Sequence, residues 1–87
     1  MPQTPPDHAN ARLRAIVHRA AEVVVRVTGD ASTEEVRSLR GFDPGTAQQP
    51  AFDAYLRLRD AEHSLGRTHP ALGRLLRRLG RRVERLA

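Results

Sequence analysis

The chain closes on LLRRLGRRVERLA, residues 75–87, and the reading of that stretch decides the fold. Wound as a helix over about 70–86, it brings Leu72, Leu75, Leu76, Leu79, Val83 and Leu86 within roughly 100° of one another. Arg74, Arg77, Arg78, Arg81, Arg82 and Arg85 cover the opposite side. The leucine spacing is close to a heptad, so this stripe needs a partner helix, from the same chain or from a second copy. Gly66, Gly73 and Gly80 lie seven apart, which puts the last two on one flank. A glycine inside a helix costs about 1 kcal/mol against alanine. Two on one flank either admit a closely packed neighbour or reflect compositional drift.

Charge singles out the same segment. Residues 1–66 hold eight arginines against nine acids, and residues 67–87 hold seven arginines against Glu84 alone, so the net +5 belongs to the end of the chain. Lysine is absent and alanine and valine are abundant, a bias that GC-rich coding produces. Any single arginine is therefore weaker support for bidentate anion recognition than it would be in a lysine-using protein.

Upstream, 87 residues allow one helical domain, 1–87, with a flexible start at 1–6. Thr4 to Asp7 reads as a capping box, or Asp7 as the cap itself. A first helix then runs to about Thr28 before Gly29, with Leu13, Ile16, Val17, Ala20, Val24 and Val27 on one face. EVVVRV (22–27) is β-branched enough for a strand, but its phase with the preceding stripe favours helix. Ser32 and Glu35 form an S-x-x-E box opening a two-turn helix that Gly41 ends. Asp43-Pro44-Gly45 makes 41–49 the main loop, with Phe42 expected to plug the core. Pro50 opens a third helix over 50–65, whose apolar set is Phe52, Tyr55, Leu56, Leu58, Ala61 and Leu65. Gly66 and Thr68–Pro70 then break the chain, with Thr68 as a cap, or kink one long helix over 50–86.

The chemistry-bearing side chains are sparse. There is no cysteine, hence no disulfide, thiolate metal site or cysteine nucleophile. His8, His18, His63 and His69 never sit four apart, so no helix presents a zinc-binding pair. His18 with Glu22, and Arg59, Glu62 and His63, read as ordinary helix-surface neighbours. Ser32, Ser38 and Ser64 lack a glycine-framed elbow, and no phosphate loop occurs. No metal, cofactor or catalysis is expected. An enzyme would need a pocket where arginines converge with Tyr55 or a histidine.

Nucleic acid is the sharper alternative for the arginine face, since six arginines would neutralise several phosphates. No aromatic side chain interleaves with them for base stacking, and no Asn or Gln stands among them to read adenine. A helix-turn-helix made of the second and third helices has too long a connection, about nine residues against the motif's 3–4, and a charge-balanced third helix. Phosphate binding predicts that Arg12, Arg19 or Arg26 joins the terminal arginines on one surface. An adaptor predicts exposed apolar residues beside a groove ringed by charge. Membrane contact is not expected: the last helix has no Trp or Phe on its apolar side, no stretch nears the roughly 18 apolar residues of a span, and the start lacks a secretion signal. A cytoplasmic location follows.

AEVVVRVTG (21–29) followed by GFDPGTA (41–47) resembles the first helix and attachment loop of acyl carrier proteins, which read Gly-Phe-Asp-Ser-Leu before their second helix. The resemblance covers residues 13–47 at most. In that family the serine after the aspartate carries the phosphopantetheine arm; here Pro44 stands in its place, and the chain is basic where the family is usually acidic. The resemblance therefore implies no carrier function, and no family is assigned from it.

The expectation is an all-α bundle of three longer helices and one short one, completed by dimerisation. Its role would be a non-catalytic adaptor or regulatory subunit for an acidic protein partner, or alternatively DNA binding through Arg74, Arg77, Arg78, Arg81, Arg82 and Arg85.

Overall fold

A computed structural model describes residues 6–86, which are all-helical and without strands. Helix α1 spans Pro6–Thr28, α2 Glu34–Arg40, α3 Pro50–Leu65 and α4 Pro70–Arg85. Thr4 and residues 1–5 of the expected flexible start fall outside the described residues; Pro6 and Asp7 are already helical, so Asp7 is not the cap. Residues 22–27 are helix, as their phase required. Gly29 ends α1 with φ +73°, a left-handed conformation that costs other residues a Cβ clash, and its N–H donates to the Val25 carbonyl at 2.7 Å.

The cap of α2 departs from the expected Ser32–Glu35 box. Asp30 Oδ1 accepts from both the amide and the hydroxyl of Ser32, at 2.8 and 2.6 Å, which locks Ser32 in the preceding turn. Thr33 becomes the N-cap, accepting from Val36 N–H at 3.3 Å. In the loop after α2, Asp43 Oδ1 accepts from the Gly45 amide at 2.9 Å and holds the expected turn. Phe42 is 2 % exposed, as a core plug should be.

Residues 50–86 form two helices, not one kinked helix. Pro50 and Pro70 each stand in the first turn, where a missing N–H costs nothing. The cap at α4 is His69, without a side-chain hydrogen bond, whereas Thr68 Oγ1 bonds instead to His69 Nδ1 at 2.9 Å. The two helices fold back as an antiparallel hairpin, the most extensively packed pair in the molecule. Glycine makes the turn possible: a Cβ on Gly73 would stand 2.8 Å from the Gly66 Cα. At Gly80 a Cβ would meet only the Tyr55 ring, at 3.6 Å, an ordinary contact.

Leu72, Leu76, Leu79 and Val83 of α4 are buried, and Leu75 and Leu86 are partly buried. The stripe therefore finds its partner within the chain. On α3 the buried residues are Ala54, Leu58 and Ala61, while Phe52 and Leu56 are 56 % and 36 % exposed, against the expected apolar set. Hydrophobicity alone had ranked Phe52 above Ala54; the buried face of α3 takes the smaller side chain, and Phe52 lies beside the 41–49 loop. On α1, Val27 likewise lies outside the core, at 47 % exposure, and Ala21 lies inside it. Helix α1 packs on all three others, and α2 bridges α1 and α3 without touching α4.

Candidate functional site: an arginine groove between α1 and α4

Arg12, Ala15, Ile16 and Arg19 recur at three, four and seven along α1, which is one helical face. Leu75, Arg78, Leu79, Arg82, Arg85 and Leu86 do the same along α4. The two helices run antiparallel, so these faces meet end to end. At one end Arg12, Ala15 and Ile16 share a hollow with Arg82, Arg85 and Leu86. At the other, Ala15, Ile16 and Arg19 share one with Leu75, Arg78, Leu79 and Arg82. Ala15, Ile16 and Arg82 line both, so the hollows adjoin along the α1–α4 groove. Its walls carry Arg12, Arg19, Arg78, Arg82 and Arg85, and its floor is aliphatic.

Among the described residues no acid lines either half of this groove. Among the described residues the ion pairs use other arginines. Arg40 meets Glu22 at 3.0 Å, Arg77 meets Glu62 at 2.9 Å, Arg57 meets Asp53 at 3.2 Å and Arg14 meets Asp43 at 3.8 Å. These bonds replace two expected local pairs. Glu22 reaches α2 instead of His18, whose Nε2 lies 3.3 Å from the Phe42 carbonyl, and Glu62 reaches α4. Five arginines gathered with no acid among the described lining residues repel one another, and the field of such a cleft concentrates anions at its mouth.

The six arginines expected to form one interaction face are divided. Arg78, Arg82 and Arg85 turn to α1. Arg77 and Arg81 turn to α3, where they line a hollow with Tyr55, Arg59, Glu62, His63, Leu76, Gly80 and Glu84. Arg74 is exposed and lines neither. The α3–α4 hollow does bring Tyr55 and a histidine beside arginines, but its charges are mixed and Glu62 is already held by Arg77. Arg12 and Arg19 join the terminal arginines, while Arg26 does not line the groove. No group of three or more potential metal-ligating side chains is gathered among the described residues, and no described helix is long and apolar enough to cross a membrane.

No family model matches this chain, and neither does any curated protein or solved structure. The chemistry of the groove has to carry the functional case.

Proposed function

We propose that this chain is a non-catalytic, cytoplasmic protein-interaction module whose α1–α4 groove binds an acidic partner. The single observation behind the reading is the pairing of five arginines, with no acid among the described lining residues, and an aliphatic floor of Ala15, Ile16, Leu75, Leu79 and Leu86. A purely electrostatic site needs no such floor, and a purely apolar site would not be ringed by like charges. Partners that supply both carboxylates and aliphatic side chains satisfy both halves.

Duplex DNA is the second reading, favoured by the way Arg12 and Arg19 extend the positive surface of α4. If five phosphates were neutralised, log K would fall against log salt with a slope of about −4.5. Anisotropy titrations of a labelled acidic peptide and a labelled duplex, at about 50 and 200 mM salt, separate the readings. The proposal expects peptide binding that Arg82→Glu abolishes. Binding of the duplex alone transfers the function to DNA, and binding of neither at the lower salt removes the groove as a site.

The homodimer belongs to the same proposal with a changed surface. Leu72, Leu76, Leu79 and Val83 pack inside the chain, so α4 no longer supplies a reason for a second copy. The exposed large apolar side chains among the described residues are Val27 of α1 and Phe52 and Leu56 of α3, and the last two lie one turn apart on one helix. Light scattering of the wild type and Phe52→Ser tests that edge: a dimer mass that Phe52→Ser halves places the contact there, and a monomeric wild type ends the dimer proposal.

A further inference from the structure

We propose that the groove takes its partner as an amphipathic α-helix, with an aliphatic stripe on the floor and carboxylates two turns apart on each flank. This rests on reading the groove as a protein-binding site and adds the form of the occupant. The support is the period of the walls. Arg12 and Arg19 stand seven residues apart on α1, and Arg78 and Arg85 seven apart on α4. Both intervals are two helical turns, a rise of about 10.5 Å. Because the helices are antiparallel, Arg12 lies at the same end as Arg85 and Arg19 at the same end as Arg78, with Arg82 between them. Four guanidinium groups thus mark the corners of the groove, and Ala15, Ile16 and Leu79 lie among them.

An occupant has to present charge at that repeat and aliphatic carbon between. An extended strand repeats one face every two residues, about 6.6 Å, and runs out of phase with a 10.5 Å interval. A helix repeats one face every seven residues at the same rise as the walls. Residues at heptad positions a and d then cover the floor, and acids at e and g meet the two rows of arginine, the arrangement by which helices choose partners in coiled coils. The floor has room for such contact: Ala15 is exposed, Leu75 and Leu86 are half-buried, and Ile16 and Leu79 keep 9 % and 8 % of their surface. A duplex would reach the arginines through phosphate oxygens and leave these carbons without an apolar partner.

Three labelled peptides of identical length test this on the intact protein: one with Leu at a and d and Glu at e and g, one of the same composition scrambled, and one with a central proline. A labelled DNA duplex runs beside them. The ordered peptide is expected to bind at least about tenfold more tightly than the other two and to gain helical circular dichroism on binding, since an interior proline breaks the helix. Ala15→Gln, at an exposed helical position, is expected to weaken the ordered peptide about tenfold and leave the scrambled one unchanged. Amide shift mapping on the wild type, with changes expected at Ala15 and Leu75, gives the same answer without a variant. Equal binding of all three peptides overturns the helical occupant and leaves the acidic groove standing. Failure of every peptide overturns the reading beneath it, and duplex binding insensitive to Ala15→Gln replaces both with DNA.

Discussion

Helix α4 has two lateral neighbours, and the two contacts are built on opposite plans. Toward α3 the backbones close on glycine at the turn, small residues line the seam, and Arg77 is neutralised by Glu62. Toward both neighbours α4 leaves a hollow, but the one beside α3 has Glu62 and Glu84 among its arginines, whereas toward α1 five arginines stand over a partly uncovered floor with no acid among the described lining residues. One side satisfies itself and the other does not. Like charges gathered over exposed aliphatic carbon do not favour the compact state, and this contrast is what supports the proposal of structure on the α3 side and binding on the α1 side.

The sharpest way to break this comparison is to force the closed side apart. In Gly73→Ala the new methyl meets the Gly66 backbone at 2.8 Å, where no side chain can swing away. Overpacking of this kind costs about 1–3 kcal/mol, which in a domain of this size lowers Tm by about 4–8 °C for each kcal/mol. Gly80→Ala is the control on the same helix. Its Cβ finds ordinary contact with Tyr55, so the gain in helix propensity, up to about 1 kcal/mol, should raise Tm. Thermal melts of the pair decide it, and equal destabilisation by both would deny the hairpin turn its special closeness.

The open side should respond in binding rather than in stability. Arg82 lines both halves of the groove, and Arg82→Glu should remove acidic-peptide binding while leaving Tm unchanged or raised as repulsion is relieved. Arg77→Ala should do the reverse: binding stays, and stability falls by no more than about 1 kcal/mol, the ceiling for an exposed pair. A drop in Tm on Arg82→Glu matching that of Arg77→Ala would erase the distinction between the two sides. At the far end of α1, Gly29→Ala forces an L side chain into the left-handed region and should cost about 1–2 kcal/mol by chemical denaturation, with no effect on either face of α4.

The elements were legible because their punctuation is local. Pro50 and Gly66 bound α3 where periodicity placed it, and Gly29 stops α1 at its only described left-handed residue. What local pattern missed was decided by contacts across the chain. Phe52 outranks Ala54 on any hydrophobicity scale, yet it is Ala54 that α3 turns to the core. Arg12 and Arg19 read as one helical face, but their meeting with Arg78, Arg82 and Arg85 depends on α1 and α4 lying antiparallel side by side, which no heptad states. Nor did the arginine count foresee that Arg77 would be taken by Glu62, fifteen positions away.

The smallest expected effect concerns the cap of α2, which moved from Ser32 to Thr33. The hydroxyl of Ser32, and then its amide, bond to Asp30 and hold that carboxyl below its ordinary value of 3.8. A carboxylate whose folded pKa is depressed stabilises the fold above the unfolded pKa, and that stabilisation disappears as pH falls through the folded one. Asp30 is fully exposed, so the contribution is slight and the test is spectroscopic. The Asp30 carboxyl carbon, followed by NMR, should titrate below 3.8 in the wild type and move back toward it in Ser32→Ala, which keeps the amide bond but deletes the stronger hydroxyl one. If the midpoint does not move, the hydroxyl is not what holds the carboxylate. The shift of the α2 cap from Ser32 to Thr33 would then need a cause outside this turn.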